Sequence, residues 1–215
     1  MKTVGDWLKE QDNTKKQPDT NQKGSSPPRH TSHKHRPKQQ KSTGDSQSRK
    51  APLRVYPLGG FEQIGRNCLV IEVDGDIYLV DLGLQFPDEG MLGIDYLIPD
   101  ITCLQGRENR IRGILFTHGH LDHIGAIQHL LPQLHFPPCY GTKLTMAFAK
   151  KRLDEEKLTA KAQLNSVPYG KRIRIGKIEV EFLKVTHSIP DSAAIAIHTP
   201  YGTLIHTGDF KFDLT

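Results

Sequence analysis

Short runs in which apolar and polar positions alternate fill the chain after residue 50 and are missing before it. Residues 53–58, 68–73 and 77–81 read as strands, and Asp74-Gly75-Asp76 makes the last two a hairpin. Residues 111–116 form a continuous apolar run, the pattern of a buried strand, and Ala126, Ile127, Leu130 and Leu131 then recur at helical spacing. From 141 to about 158, Leu144, Phe148 and Leu153 oppose Lys150, Lys151, Asp154, Glu155 and Glu156, which predicts an amphipathic helix with a solvated charged face. Residues 171–175, 178–185, 193–198 and 203–206 read as four more strands. The breakers Pro87, Gly90, Gly93, Pro99 and Gly106 make 86–110 loop-like. Many strands with few helices predict a layered α/β or α+β sheet domain over 51–215.

Composition separates that domain from residues 1–50. The first fifty residues hold twelve Lys and Arg against five Asp and Glu, which leaves the body at −2 of a whole-chain +5. They are rich in Gln, Ser, Pro and His, and Val4, Trp7 and Leu8 are too few to form a core, so a disordered basic tail is expected, with one helical turn near 6–10. Such an arm is either an electrostatic anchor for polyanions such as nucleic acid or a solubilising extension. His30, His33 and His35 are adventitious rather than designed metal ligands. Cys68, Cys103 and Cys139 are odd in number and far apart, which fits reduced thiols in the cytoplasm and not a disulfide framework. With no apolar run of 18 residues, neither a membrane span nor a secretion signal is expected.

The densest chemistry lies in Thr117-His118-Gly119-His120-Leu121-Asp122-His123, on the turn between the apolar strand and its helix. Imidazoles and carboxylates suit borderline divalent metals. Six consecutive positions do not wrap one ion comfortably, so two neighbouring metals are the simpler reading. His187 and Asp209 each follow a strand. His187 completes a three-histidine site with His118 and His120, and Asp209 bridges to a second ion held by Asp122 and His123, the bridge spacing two metals by roughly 3.5–4 Å. Asp81 closes an apolar strand; it either orients a metal-binding histidine or caps the turn Leu82-Gly83. The glycines of 59–67 do not fit the dinucleotide fingerprint Gly-x-Gly-x-x-Gly, so a nucleotide cofactor is not expected.

The histidine motif, followed by a lone His and then Gly208-Asp209, resembles the metallo-β-lactamase superfamily. Leu58-Gly59-Gly60, Glu62 to Asn67, Val80 to Gly83, His187 to Ser192 and Thr207 to Lys211 are similar to the bacterial ribonuclease J (β-CASP) family over about 54–215. The resemblance implies the N-terminal half of an αβ/βα sandwich, two zinc ions with Mn2+ or Mg2+ as substitutes, and hydrolysis of RNA by 5′-to-3′ exonuclease and endonuclease action. It implies Asp122 and Asp209 as catalytic residues, and homo-oligomers among full-length members. Those members continue into an inserted β-CASP domain and the second sandwich half, so the expectation is that this chain is a fragment, weak or inactive alone, with its general acid outside it. Two other classes stay open: a hydrolase of a small thioester or lactam, and a non-catalytic RNA-binding piece.

Overall fold

The structure is a computed structural model and describes residues 52–212. The basic tail, its expected helical turn and its three histidines lie outside the described residues. Strands β1 (Leu53–Gly59), β2 (Cys68–Val73) and β3 (Asp76–Val80) form an antiparallel meander. The β2–β3 turn places Asp74 and Gly75 at φ 48° and 86°, the left-handed pair that a two-residue hairpin requires. The chain then crosses over, and β4 (Ile111–Leu115), β5 (Cys139–Gly141) and β6 (Leu164–Ser166) add in parallel to complete a six-stranded sheet in sequence order. Strands β7 (Arg172–Ile175), β8 (Ile178–Lys184), β9 (Ala193–Thr199) and β10 (Gly202–His206) form a second, antiparallel sheet.

Two cores explain why the strands of the first sheet are apolar on both faces. Leu69, Ile71, Val73, Tyr78, Val80 and Leu115 meet Ile178, Val180, Phe182, Ile195 and Ile197 between the sheets. On the opposite face Val70, Ile77, Leu79 and Ile114 pack against the helices α1 (Leu121–Ile124), α2 (Ile127–Gln133) and α3 (Lys143–Glu155). The layers run helices, mixed sheet, antiparallel sheet, an α+β sandwich as expected. Tyr78, fully buried, pins the two sheets: its hydroxyl donates to Ile175 O at 3.0 Å and accepts from Lys177 N at 2.9 Å. Among the described residues no helix is long and apolar enough to cross a membrane.

Two details depart from the reading of the sequence. The strands β5 and β6 were not anticipated, because three residues are too few to show alternation, and Pro137-Pro138 immediately before β5 reads as a breaker. In α3 the buried face is Thr145, Met146, Ala149 and Leu153, while Leu144 and Phe148 sit half-buried at its flank. Small Ala149 and Thr145 let the helix lie close on the sheet, and Phe148 turns toward Gly119 in the histidine-rich turn, within 2.5 Å of where a Cβ would stand there. Residues 86–110 are largely irregular as predicted, broken by two short 3-10 turns and fixed by backbone pairing of Gln85 with Leu97.

Candidate metal centre

Every candidate ligand follows a strand, and all of these strand ends fall at one edge of the sandwich. Parallel β3 and β4 end in Asp81 and in Thr117-His118, and β8 and β10 of the second sheet lead to His187 and Asp209. Loops beyond the carboxyl ends of parallel strands are the usual place for a site in such sheets. Backbone hydrogen bonds stitch the loops together. Ala193 N donates to Thr117 O (3.0 Å), Lys211 N to Thr186 O (2.8 Å), Leu82 N to His123 O (2.8 Å) and Asn67 N to Asp122 O (3.1 Å). The fit leaves no spare room at Gly83, where a Cβ would lie 1.6 Å from Asp122 O and 2.6 Å from Asn67 N.

The structure brings His118, His120, His123, His187, Asp122 and Asp209 into one cluster. One close group is His118, His120 and His187; a second is His118, His123 and Asp209. His120 Nδ1 lies 3.0 Å from His118 Nε2 and 3.1 Å from His187 Nε2. Asp209 spans the two groups, Oδ1 3.4 Å from His123 Nε2 and Oδ2 3.8 Å from His187 Nε2. Asp122 reaches the second group through its Oδ2, 3.4 Å from His123 Nε2. His118 and His123 are buried, His120, His187 and Asp122 half-buried, and Asp209 exposed.

Asp81 determines how the buried histidines present themselves. It is 1% exposed and sits at φ 63°, a left-handed conformation that Asp tolerates better than most residues. Its carboxylate accepts from Thr117 N and Thr117 Oγ1, both at 2.8 Å, and from His123 Nδ1 at 2.7 Å. Its partners are therefore Thr117 and His123, and not the turn Leu82-Gly83. Because the Thr117 hydroxyl proton goes to Asp81, its oxygen is left to accept from His118 Nδ1 at 3.0 Å. Nδ1 of each ring is thereby held as the donor, so Nε2, which faces the cluster, is the nitrogen left to meet a cation: unprotonated in His118, and in His123 once a cation displaces its proton.

The protonation of the cluster follows from its surroundings. Burial, reinforced by the neighbouring His123, pushes the His118 pKa down to about 4, so its ring is neutral at ordinary pH. Burial opposes charge on His123 as well, but Asp81, Asp122 and Asp209 outweigh it and raise that pKa to about 12. The hydrogen bond to His123, working against burial, holds Asp209 down at about 2.

The donor set fits divalent cations. Three imidazole nitrogens within 3.0–3.1 Å of a neighbour cannot all be satisfied by one shared proton. A tetrahedral ion at the usual zinc–nitrogen distance sets its ligands about 3.3 Å apart, a few tenths of an ångström beyond what is seen. Asn67 was not anticipated as part of this site. Its Nδ2 donates to Asp122 O at 3.0 Å and lies 3.2 Å from His123 Nε2 and 3.5 Å from Asp122 Oδ2. Fifty-five residues separate Asn67 from Asp122, and nothing local in the sequence links them.

Comparison with known proteins agrees with this geometry. The family model described as the metallo-beta-lactamase superfamily matches residues 62–214. Over 164 residues the chain is 44% identical to a protein named ribonuclease J from Synechocystis sp., an alignment covering 76% of this chain and 26% of that protein. Over 161 residues it is 41% identical to a ribonuclease J 2 of Staphylococcus epidermidis, covering 75% and 29%. The chain thus spans less than a third of the length of these curated relatives. Among solved structures, a protein of unknown function from Enterococcus faecalis superposes with TM-score 0.57 at 21% identity, over 75% of this chain and 44% of that one. The metallo-beta-lactamase fold protein YhfI of Bacillus subtilis gives 0.56 at 18%, over 76% and 65%. These two share the fold. That fold implies a divalent metal, and the His and Asp groups are able to bind one. A family match running from the first glycine-rich loop to beyond Asp209, over a sandwich with its histidines gathered at one edge, means that the chain belongs to the metallo-beta-lactamase superfamily.

Proposed function

We propose that this chain carries the metal-binding part of a ribonuclease that hydrolyses RNA phosphodiester bonds, with two zinc ions held along the sandwich edge. The observation that carries the reading is Asp209 reaching both close groups at once, one oxygen toward His123 and the other toward His187. His118, His120 and His187 would hold one ion, and Asp122 and His123 the other, with Asp209 bridging. Bound divalent cations supply Lewis-acid chemistry, making water more acidic and neutralising charge on phosphoryl oxygens. The chain's own residues prepare the place for it. Asp81 and Thr117 fix the ring orientation of His118 and His123, and Asn67 holds the Asp122 backbone and faces its carboxylate. The identity of 41–44% to ribonuclease J proteins supports RNA as the substrate, and with it 5′-to-3′ exonuclease and endonuclease action. The cytoplasm is the compartment that goes with this reading and with three free cysteines.

The test uses the purified chain loaded with zinc or manganese, offered a 5′-monophosphorylated RNA and a thioester, beside an Asp209→Ala variant. Weak RNA cleavage that disappears in the variant is the expected result. Thioester cleavage without RNA cleavage would overturn the choice of substrate.

A further inference from the structure

A groove of about 530 Å3 opens beside the cluster and shares Asp122 with it. Its walls are Ile64, Leu84, Phe86 and Leu121, with Gln85 and Asp88. Ile64 is 89% exposed and Phe86 65%, side chains that a folded domain has no reason of its own to leave in water. The backbone beneath Phe86 is held by two hydrogen bonds between Gln85 and Leu97, at 2.9 and 2.8 Å, so the ring stands on a fixed support. Gln85 Oε1 has no hydrogen-bond partner, an acceptor that a turn of the amide would offer to a ligand.

Charge decides what this groove admits. No Lys, Arg or His lines it, and both of its ionisable residues, Asp88 and Asp122, are acids. A phosphate is therefore excluded, whereas a flat, uncharged ring with hydrogen-bonding edges is suited to Phe86 and Gln85. A second groove, of about 460 Å3, includes His187 and is lined by Lys184, Thr186 and Tyr169 together with Ile189, Pro190 and Asp191, a mixed surface that carries a cation the first groove lacks. The two grooves meet the same cluster through different residues and differ in kind.

We propose that the groove lined by Ile64, Phe86 and Leu121 is a nucleobase subsite, which stacks the base of the nucleotide whose phosphate lies at the metal centre. This rests on the reading of that centre as a phosphodiester site. The test measures binding, by calorimetry, of adenosine 5′-monophosphate and of ribose 5-phosphate to the zinc-loaded chain. Both carry the phosphate; only the first carries a base. The nucleotide should bind about tenfold more tightly than the abasic sugar phosphate. Phe86→Ala should remove that advantage and leave ribose 5-phosphate unchanged, while Phe86→Trp should keep it. Equal affinity of the two ligands, or an advantage indifferent to Phe86→Ala, would overturn the subsite and leave the phosphate reading standing. Binding of neither ligand would overturn the phosphate reading and the subsite with it.

Discussion

Asp81→Asn is the substitution that separates the fold from the ligand geometry. The amide is isosteric with the carboxylate, tolerates the left-handed φ of 63°, and keeps one oxygen to accept from Thr117 N. What it changes is the other atom. Where Oδ2 accepts from His123 Nδ1 at 2.7 Å and Thr117 Oγ1 at 2.8 Å, the variant presents an NH2 that donates. His123 must then leave Nδ1 unprotonated and carry its proton on Nε2, pointing into the cluster. Thr117 Oγ1, now accepting from the amide, has its own proton to give to His118 Nδ1, which moves the proton of that ring to Nε2 as well. Both nitrogens that face a cation become blocked. Losing the group that orients a metal-binding His typically costs about 10- to 100-fold in metal affinity. Since two rings are affected, the upper end is expected. Global stability should fall less than in Asp81→Ala, which loses the anion as Asn does but also leaves buried Thr117 N and His123 without any partner, at about 1–3 kcal/mol each, and sets Ala in the left-handed region at about 1 kcal/mol more. Zinc titration by calorimetry, paired with urea unfolding of all three metal-free proteins, provides the readings. Wild-type zinc affinity in a folded Asp81→Asn protein would refute the argument that Asp81 sets the ring tautomers.

Three other outcomes are expected. Replacing His118 and His120 together by Ala should lower bound zinc by at least one equivalent in metal analysis of folded protein, and unchanged stoichiometry would remove them as ligands. Glu72 is nearly buried, and although burial opposes its charge, Tyr56 OH at 2.6 Å and Arg107 at 2.8 Å hold its pKa below the usual value of 4.5. A lowered folded pKa means stability that is present above the unfolded pKa and lost as pH falls through the folded one, so Glu72→Gln should cost about 1–3 kcal/mol at pH 7 and less at pH 3. An equal cost at both pH values in urea unfolding would exclude the linkage. Deleting residues 1–50 should leave the thermal unfolding of the body unchanged while weakening RNA binding with a shallower dependence on salt, and identical affinity and slope in the two proteins would make the tail a solubilising extension.

Where the sequence was readable, a physical pattern had room to repeat itself. Cys68–Val73 and Ile178–Lys184 run six and seven residues, long enough for two faces to declare themselves, and both emerge close to the bounds expected for them. Cys139–Gly141 and Leu164–Ser166 owe their strand form to the neighbour each one pairs with, a property of the assembled sheet that three residues do not encode. The same divide runs through the site. His118, His120, Asp122 and His123 are legible because one turn concentrates them; His187 and Asp209 become so only once that turn is taken as a metal site. Asn67 ends the Glu62 to Asn67 motif but carries no ligand chemistry that would mark it, since its place is made by two backbone contacts to loops remote in sequence. For Asp81 the residues alone left two roles open, and only the position of Thr117 across the strand ends decides which partners its carboxylate meets.

The burial of the cluster is graded, and on the proposed reading the gradient has a chemical meaning. His118 and His123 are fixed from behind by Thr117 and Asp81, so the cost of ordering them is met during folding rather than on binding a cation. Asp209, 46% exposed, is the least restrained member and the one that touches both groups. A rigid imidazole floor with one adjustable carboxylate lets the spacing between two cations follow the substrate, while their orientation stays set by the sheet ends. That arrangement requires the floor to keep its shape without metal, as the Asp81–Thr117–His network allows, and it places any loss of order on the Asp209 side of the edge.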